Sequence, residues 1–216
     1  MQDLSFSFPT PHFQLGGFEF SVLIYTFRNV YAPDEAQMTV EQPGDTLWAE
    51  GKGLRWAGGQ MEMPGRFEVR ACICSHGIRV KTTAEIQNPG EDIRCIKVIV
   101  HGIPDGKLVN LINAQPREIP QEGLNLKYPE GWRDVGTPLV VMQTPENEMF
   151  YFRSLDEKVR DKRFVFVRTG DKLNAELIFE EAAVSMTNRI DAPEWEIGWG
   201  KNLAEIYEPH RLHVEK

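Results

Sequence analysis

Three successive runs in the first half of the chain alternate apolar and polar side chains at every second position. The runs are Phe67–Ile73, Ile78–Ile86 and Ile96–Val100, and turn-forming residues separate them at positions 75–77 and 88–92. Alternation with a period of two is typical of a strand that has one face in the core and the other in solvent. We therefore predict three consecutive strands joined by tight turns, which is an antiparallel meander.

The same alternation recurs along most of the chain, with turn signals at intervals of roughly ten residues. Further strands are predicted at Phe18–Phe27, Gln37–Val40, Thr46–Glu50, Leu139–Gln143, Met149–Arg153, Phe164–Arg168, Lys172–Glu180 and Trp195–Trp199. Helical stretches are few, with at best a short helix at Leu155–Lys162 and one turn at Asn202–Tyr207. The sequence thus predicts an all-β antiparallel sandwich with few short helices, formed by residues 1–216 as a single domain.

The charge balance argues against two classes of partner. The 216 residues carry 24 Lys and Arg against 32 Asp and Glu, which gives a formal net charge of -8. Binding to nucleic acid and docking on anionic membrane both need a basic face, which this composition does not favour. No stretch approaches 18 apolar residues and the first residues lack a signal-peptide pattern, so we expect a cytoplasmic protein.

Cysteine and histidine spacing predicts no metal site, and we expect no cofactor. Cys72, Cys74 and Cys95 lack the Cys-x-x-Cys spacing of zinc sites, so we interpret them as inert thiols. His210 and His213 are three residues apart, but their place near the chain end favours a solvated tail. Glycine-rich phosphate loops and the common hydrolase motifs are absent from the sequence.

Aromatic side chains in loops rich in glycine and proline are the candidate ligand-binding residues. The segment Asn113–Pro138 interrupts the strand pattern, and a structureless excursion of this length is uncommon and often functional. It carries Tyr128, Trp132 and Arg133, while Trp56 lies beside a pair of glycines where a ligand can approach the backbone. The flat apolar face of an indole suits the C–H face of a sugar ring.

Groups that exchange protons are also present. His76 lies in a turn and His101 at a strand end, and imidazole titrates near neutral pH. We favour an ordinary structural role for His76 in its turn and a plain surface role for His101. Glu194 and Glu196 are two apart in a predicted strand, so their carboxylates share one face. Because tryptophans that we assign to the core occupy the alternate positions, we expect both glutamates in solvent.

One part of the chain resembles a known fold family. Gly53–Gly59 leads into the strand Phe67–Ile73, and the strand Ile78–Ile86, the turn Asn88–Asp92 and the strand Ile96–Val100 follow. This order resembles the galactose mutarotase-like supersandwich, in particular the versions that precede the catalytic barrel of multidomain glycoside hydrolases. The resemblance implies a supersandwich fold and a carbohydrate-related role. The paired histidines and the glutamate of mutarotases cannot be matched to residues here, so no catalytic residue is carried over.

We therefore expect a non-catalytic β-sandwich domain of a glycoside-hydrolase-like protein. The side chains expected to contact its carbohydrate ligand are Trp56, Tyr128, Trp132, Arg133 and His101. One alternative is a stand-alone aldose epimerase, with His76 or His101 as general acid and a glutamate such as Glu194 as base. The other is a structural or protein-interaction sandwich. Beyond the sugar, the partners expected are a second copy of the chain or a catalytic domain that follows it covalently.

Overall fold

The computed structural model describes residues 10–56, 59, 61–88, 90–111, 115–129, 135–180 and 187–214. The strands found in them are β1 (His12–Leu15), β2 (Phe18–Thr26), β3 (Val30–Pro33), β4 (Met38–Glu41), β5 (Thr46–Trp56), β6 (Glu62–Cys74), β7 (Gly77–Ile86), β8 (Ile93–Ile103), β9 (Lys107–Val109), β10 (Pro116–Glu118), β11 (Leu124–Tyr128), β12 (Leu139–Gln143), β13 (Met149–Ser154), β14 (Lys162–Thr169), β15 (Lys172–Glu180), β16 (Arg189–Asp191) and β17 (Trp195–Gly200). A single-turn 3₁₀ helix spans Glu35–Gln37, and the α-helix α1 spans Leu203–Val214.

The strands pair antiparallel and form two layers. The first sheet has the order β10-β9-β12-β13-β17-β7-β6-β5-β4, and β16 pairs with β7 beyond the end of β17. The second sheet has the order β11-β14-β15-β8-β2-β1. The short strand β3 pairs with both β2 and β5, so it joins the two sheets along one side. The predicted all-β antiparallel sandwich is confirmed.

The hydrophobic core lies between the two sheets. Val69 of β6 and Val98 of β8 are buried members of one apolar cluster, although the two strands belong to different sheets. Trp195 of β17 meets Phe164 of β14 edge to face, with ring centroids 5.6 Å apart. Full burial of a side chain of this kind contributes about 1.5–3 kcal/mol. Packing of the two inner faces is therefore the main stabilising contribution in this fold.

The outer face of the first sheet is shared between helix α1 and an open surface. Ile206 of α1 packs with Val141 and Tyr151, which point outward from β12 and β13. His210, one turn further along the helix, is buried as well. The other half of this face, over β4 to β7, carries a cleft. Alternating residues of the same strands thus form the core on one side and the lining of the cleft on the other.

The predicted meander is half right. β6 and β7 form the expected hairpin, but β8 does not continue beside β7; it pairs with β2 and β15 in the second sheet. The segment 88–92 is therefore a crossover between sheets. Its buried Glu91 accepts hydrogen bonds from Thr26 at 3.0 Å and from Tyr31 at 2.8 Å. The free edge of β7 is taken instead by β16 and β17, which come from the far end of the chain.

Three other predictions are corrected. The excursion Asn113–Pro138 is not structureless, because it contributes β10 and β11 to the two sheets. Leu155–Lys162 forms no helix, since it leads from β13 into β14 and its last residue already belongs to that strand. The single turn expected at Asn202–Tyr207 is instead the start of a helix of 12 residues, which runs through Pro209.

Candidate functional site

A cleft with a volume of about 840 Å³ lies on the outer face of the first sheet. The alternation that buries Leu47 and Ala49 of β5 turns Trp48 and Glu50 outward. The cleft is lined mainly by such outward side chains from β4 to β7 and β16, which include Thr39, Trp48, Glu50, Lys52, Arg66, Glu68, Arg70, Thr83, Glu85 and Arg189. An aromatic ring surrounded by hydrogen-bonding groups is the usual composition of a site for a polar organic ligand.

Trp48 is held in place by hydrogen bonding. Its indole Nε1 donates to Oε1 of Glu68 on the neighbouring strand at 2.8 Å, and Nε of Arg70 donates to the same oxygen at 2.5 Å. Burial raises the pKa of Glu68, but the hydrogen bonds from Trp48 and Arg70 outweigh that effect and leave the pKa below its ordinary value. Glu68 is thus a fixed anion that orients two side chains, and it is unsuited to donate a proton.

Glycine at position 51 shapes the floor of the cleft. A β-carbon there would lie 2.3 Å from Cε1 of Phe67 and 2.9 Å from the carbonyl oxygen of Gln37. The β5–β6 pairing shifts register between Gly51 and Gly53, as at a β-bulge. Bulges bend a strand and re-aim its side chains. The bulge falls where the cleft-lining residues of β5 lie, so this strand pair bends at the cleft.

A buried ionic cluster lies on the same face, nearer to helix α1. Glu196 accepts hydrogen bonds from the hydroxyl of Tyr151 at 2.7 Å and from Nε of Arg79 at 2.8 Å, and it lies 2.6 Å from Nη2 of Arg153. Burial raises the pKa of Glu196, but these partners outweigh it and lower the pKa overall. This corrects the expectation that Glu196 is in solvent, because its side chain is only 3% exposed.

His210 closes this cluster from the helix side. Its Nε2 contacts the hydroxyl of Thr137, whereas its buried Nδ1 has no hydrogen-bond partner. Burial, followed by the positive charge of Arg153, lowers the pKa of His210 to about 4. The histidine is therefore neutral at physiological pH, and the predicted solvated tail is wrong for this residue. We assign the cluster a structural role, since it ties α1, β7, β13 and β17 together.

The aromatic candidates of the sequence analysis do not converge. Tyr128 and Trp56 lie at the two ends of one row of paired residues across seven strands, and the row runs Tyr128, Lys162, Phe179, Ile96, Ile24, Tyr31 and Trp56. Six strand-to-strand steps of about 4.8 Å along the sheet separate them. Tyr128 is only 9% exposed, and its ring lies 5.2 Å from Nζ of Lys162. Trp132 and Arg133 lie outside the described residues.

His101 lies on the outer face of the second sheet, away from the cleft. Its Nε2 is 2.9 Å from the hydroxyl of Ser21, and its ring stacks on His12 with centroids 4.5 Å apart. His12 in turn contacts the carboxylate of Glu19. Burial and the neighbouring His12 lower the pKa of His101. Because Ser21 is fully buried beneath the histidines, this cluster offers no accessible nucleophile.

The acid–base pair of the epimerase alternative is not assembled with Glu194 as the base. The backbone carbonyl of His76 accepts a hydrogen bond from the backbone N–H of Trp199, near the end of β17. Glu194 immediately precedes the start of that strand, so His76 and Glu194 are about 16 Å apart along it. His101 belongs to the other sheet. Trp199, assigned to the core by its spacing, keeps 37% of its surface exposed while its ring packs on Phe150.

The sequence analysis missed the cleft residues although a signal for them existed. Trp48 alternates with buried Leu47 and Ala49, and Arg70 alternates with buried Val69 and Ala71, so their outward direction follows from the period of two. Proximity to glycine, the criterion that favours Trp56 and Trp132, does not single out Trp48. Which outer face stays open could not be read from this pattern, because it depends on where α1 packs.

The described ranges show neither a metal-binding cluster nor a membrane-spanning helix. These residues contain no group of three or more His, Cys, Asp or Glu side chains placed to hold a metal ion. None of their helices combines the length and the apolar character needed to cross a bilayer. Cys72 and Cys95 are free, and burial raises the pKa of both thiols, that of Cys95 to about 11.

No family model and no curated protein sequence matches the chain. Among solved structures, a GH36 alpha-galactosidase from Geobacillus stearothermophilus, also solved in complex with raffinose, is similar with a TM-score of 0.50 and 9% identity. The match covers 87% of this chain and 30% of the galactosidase. The two share a sandwich fold. At this identity the likeness shows the fold alone, and the chain spans less than a third of the enzyme.

Two further structures have lower scores. The Slr1438 protein from Synechocystis sp. PCC 6803 is 11% identical with a TM-score of 0.42, over 90% of this chain and 75% of that one. A 4-alpha-glucanotransferase from Thermococcus litoralis is 9% identical with a TM-score of 0.40, over 76% of this chain and 22% of that one.

Proposed function

We propose that this β-sandwich is a non-catalytic carbohydrate-binding part of a glycoside-hydrolase-like protein, and that the sugar binds in the cleft around Trp48. The observation that carries the proposal is the fixed indole of Trp48 among outward polar side chains on four neighbouring strands. A sugar ring presents a flat C–H face that packs on an aromatic ring, and its hydroxyls need hydrogen-bonding groups around that ring.

Two observations support binding over catalysis. Glu68, the carboxylate nearest to the indole, has a pKa below its ordinary value, whereas a general acid in a glycosidase needs a raised pKa. The shared sandwich fold with part of an alpha-galactosidase supports a place beside a catalytic domain. In this proposal the cleft holds the sugar while other parts of a larger assembly perform the chemistry.

Isothermal titration with raffinose and a panel of neutral oligosaccharides tests the proposal. We expect Trp48→Ala to weaken sugar binding at least tenfold and Trp48→Phe to retain most of it, because a phenyl ring preserves the stacking surface. Trp199→Ala is the matched control, since it removes a partly exposed indole that does not line the cleft. Loss of binding in the control but not in Trp48→Ala, with both variants folded, would place the site elsewhere.

A further inference from the structure

Three charged residues form a row across one end of the cleft. Arg66 of β6 pairs in register with Glu85 of β7, and Glu85 pairs with Arg189 of β16. Their side chains point to the same outer face, and all three line the cleft. The α-carbons of the two arginines are two strand steps apart, which is about 10 Å. This spacing lets both guanidinium groups approach one small ligand group from opposite sides.

The two arginines differ from three other cations of this face, which are ion-paired. Arg70 is paired with Glu68 at 2.5 Å, Lys81 with Asp191 at 3.3 Å, and Arg79 with Glu196 at 2.8 Å. In the part of the chain that the structure describes, no carboxylate lies within the ion-pair distance of 4.0 Å from Arg66 or Arg189. Glu85, although it lies between them, is not in contact with either guanidinium.

The local charge also runs against that of the whole chain. The described cleft-lining residues include four cationic side chains, Lys52, Arg66, Arg70 and Arg189, against three carboxylates, Glu50, Glu68 and Glu85. The protein as a whole has a net charge of -8. One carboxylate of the cleft, that of Glu68, is already engaged by Arg70 and Trp48. The row of Arg66, Glu85 and Arg189 therefore carries a net positive charge, although the protein as a whole is acidic.

We propose that the cleft binds an acidic oligosaccharide, and that Arg66 and Arg189 together receive an oxyanion carried by one of its sugar units. The inference rests on the proposed sugar-binding function. Arginine recognises carboxylate and phosphate oxygens through two parallel N–H groups, which makes it suited to this role. Arg66 lies four residues along β6 from the partner of Trp48, about 13 Å away. The sugar unit that stacks on Trp48 and the sugar unit that carries the oxyanion are therefore different units of one oligosaccharide.

Titration calorimetry with a matched pair of ligands, trigalacturonate and its methyl ester, tests the proposal, because esterification removes the negative charges and keeps the sugar units and their linkages. Glucose 6-phosphate and inorganic phosphate form further arms that separate a phosphate ester from a carboxylate. We expect the acid to bind at least tenfold more tightly than the ester at 50 mM salt, and the difference to shrink at 300 mM salt. Tighter binding of glucose 6-phosphate than of both trigalacturonate and inorganic phosphate would support the oxyanion site. It would also show that the oxyanion is a phosphate ester of the sugar and not a carboxylate.

Arg66→Gln and Arg189→Gln should each weaken binding of the acid about fivefold or more and leave binding of the ester unchanged. Arg28→Gln, which removes an exposed arginine from the loop after β2, is the control and should change neither. Equal binding of acid and ester would overturn this inference while leaving the proposed sugar-binding function standing. Absence of binding for every sugar would overturn both, and phosphate alone binding as tightly as glucose 6-phosphate would overturn the requirement for a sugar.

Discussion

The carboxylate of Glu196 on β17 lies 2.6 Å from Arg153 on β13 and holds Arg79 of β7 through its other oxygen. One buried anion thus ties three adjacent strands. Removal of one partner from a buried ion pair leaves an uncompensated charge and costs about 3–5 kcal/mol. We expect Glu196→Ala to lower the free energy of unfolding by that amount in urea denaturation. Glu194→Ala, two positions earlier, should cost less than about 1 kcal/mol, and equal losses would contradict the assignment.

His210 makes stability depend on pH. Its pKa is about 4 in the folded protein against an ordinary value of 6.5. Between these two values the unfolded chain binds a proton that the folded chain does not, so stability is fully present above pH 6.5 and falls as the pH drops toward 4. The difference between the two pKa values corresponds to a loss of about 3 kcal/mol in the free energy of unfolding. In urea denaturation at pH 7, 6 and 5, the free energy of unfolding should fall less steeply with decreasing pH for His210→Gln than for the parent protein. A decline as steep in His210→Gln as in the parent would contradict this account.

Lys162 and Asp156 form an asymmetric buried pair. Nζ of Lys162 is fully buried and lies 2.8 Å from Asp156, which is also bound by two nitrogens of Arg160 at 2.9 Å each. Asp156→Ala leaves a buried ammonium without its counter-charge, whereas Lys162→Met leaves Asp156 with Arg160. We expect the first change to cost about 3–5 kcal/mol and the second considerably less. Thermal or urea denaturation of both variants measures the difference, and the reverse order would refute this account.

Gly77 permits the close approach of β7 and β17. A β-carbon at this position would lie 2.0 Å from the carbonyl oxygen of Ile197 and 2.5 Å from the α-carbon of Gly198. Backbone atoms cannot move aside as a side chain can, so we expect Gly77→Ala to destabilise the protein by at least about 1–3 kcal/mol. Gly136→Ala is the control, because none of the described residues has an atom within 4 Å of its β-carbon position. A neutral result at position 77 would mean that the strands are further apart.

Local patterns predicted local structure. The four strands of the β12–β13 and β14–β15 hairpins match predicted strands, and in each hairpin a short turn, at 145–147 or 169–171, joins strands that are neighbours in the sequence. The turn at 88–92 carries a similar signal, yet β8 leaves β7 for the other sheet. What decides its direction is the competition of β16 and β17 for the edge of β7, which depends on residues about a hundred positions away. A single-sequence pattern contains no information on that competition.

The site was less predictable than the fold. The outward direction of Trp48, Glu68 and Arg70 follows from alternation, but every strand of a sandwich has outward residues. The cleft exists because α1 covers β13 and β17 and leaves β5 to β7 open. The burial of Glu196 has the same cause, since outward residues under the helix edge lose their solvent. Neither the placement of the helix nor its extent past Pro209 followed from the sequence pattern.

The pairing of β7 with β17 has a consequence for synthesis of the chain. Arg79 and Glu196, which meet across these strands, are 117 residues apart. During translation β7 emerges from the ribosome long before β17 exists, so one of its edges has no partner strand during that interval. Exposed strand edges of nascent chains invite pairing with other chains. Aggregation during expression is therefore expected to respond to translation speed between β7 and β17 and to chaperones that shield this edge.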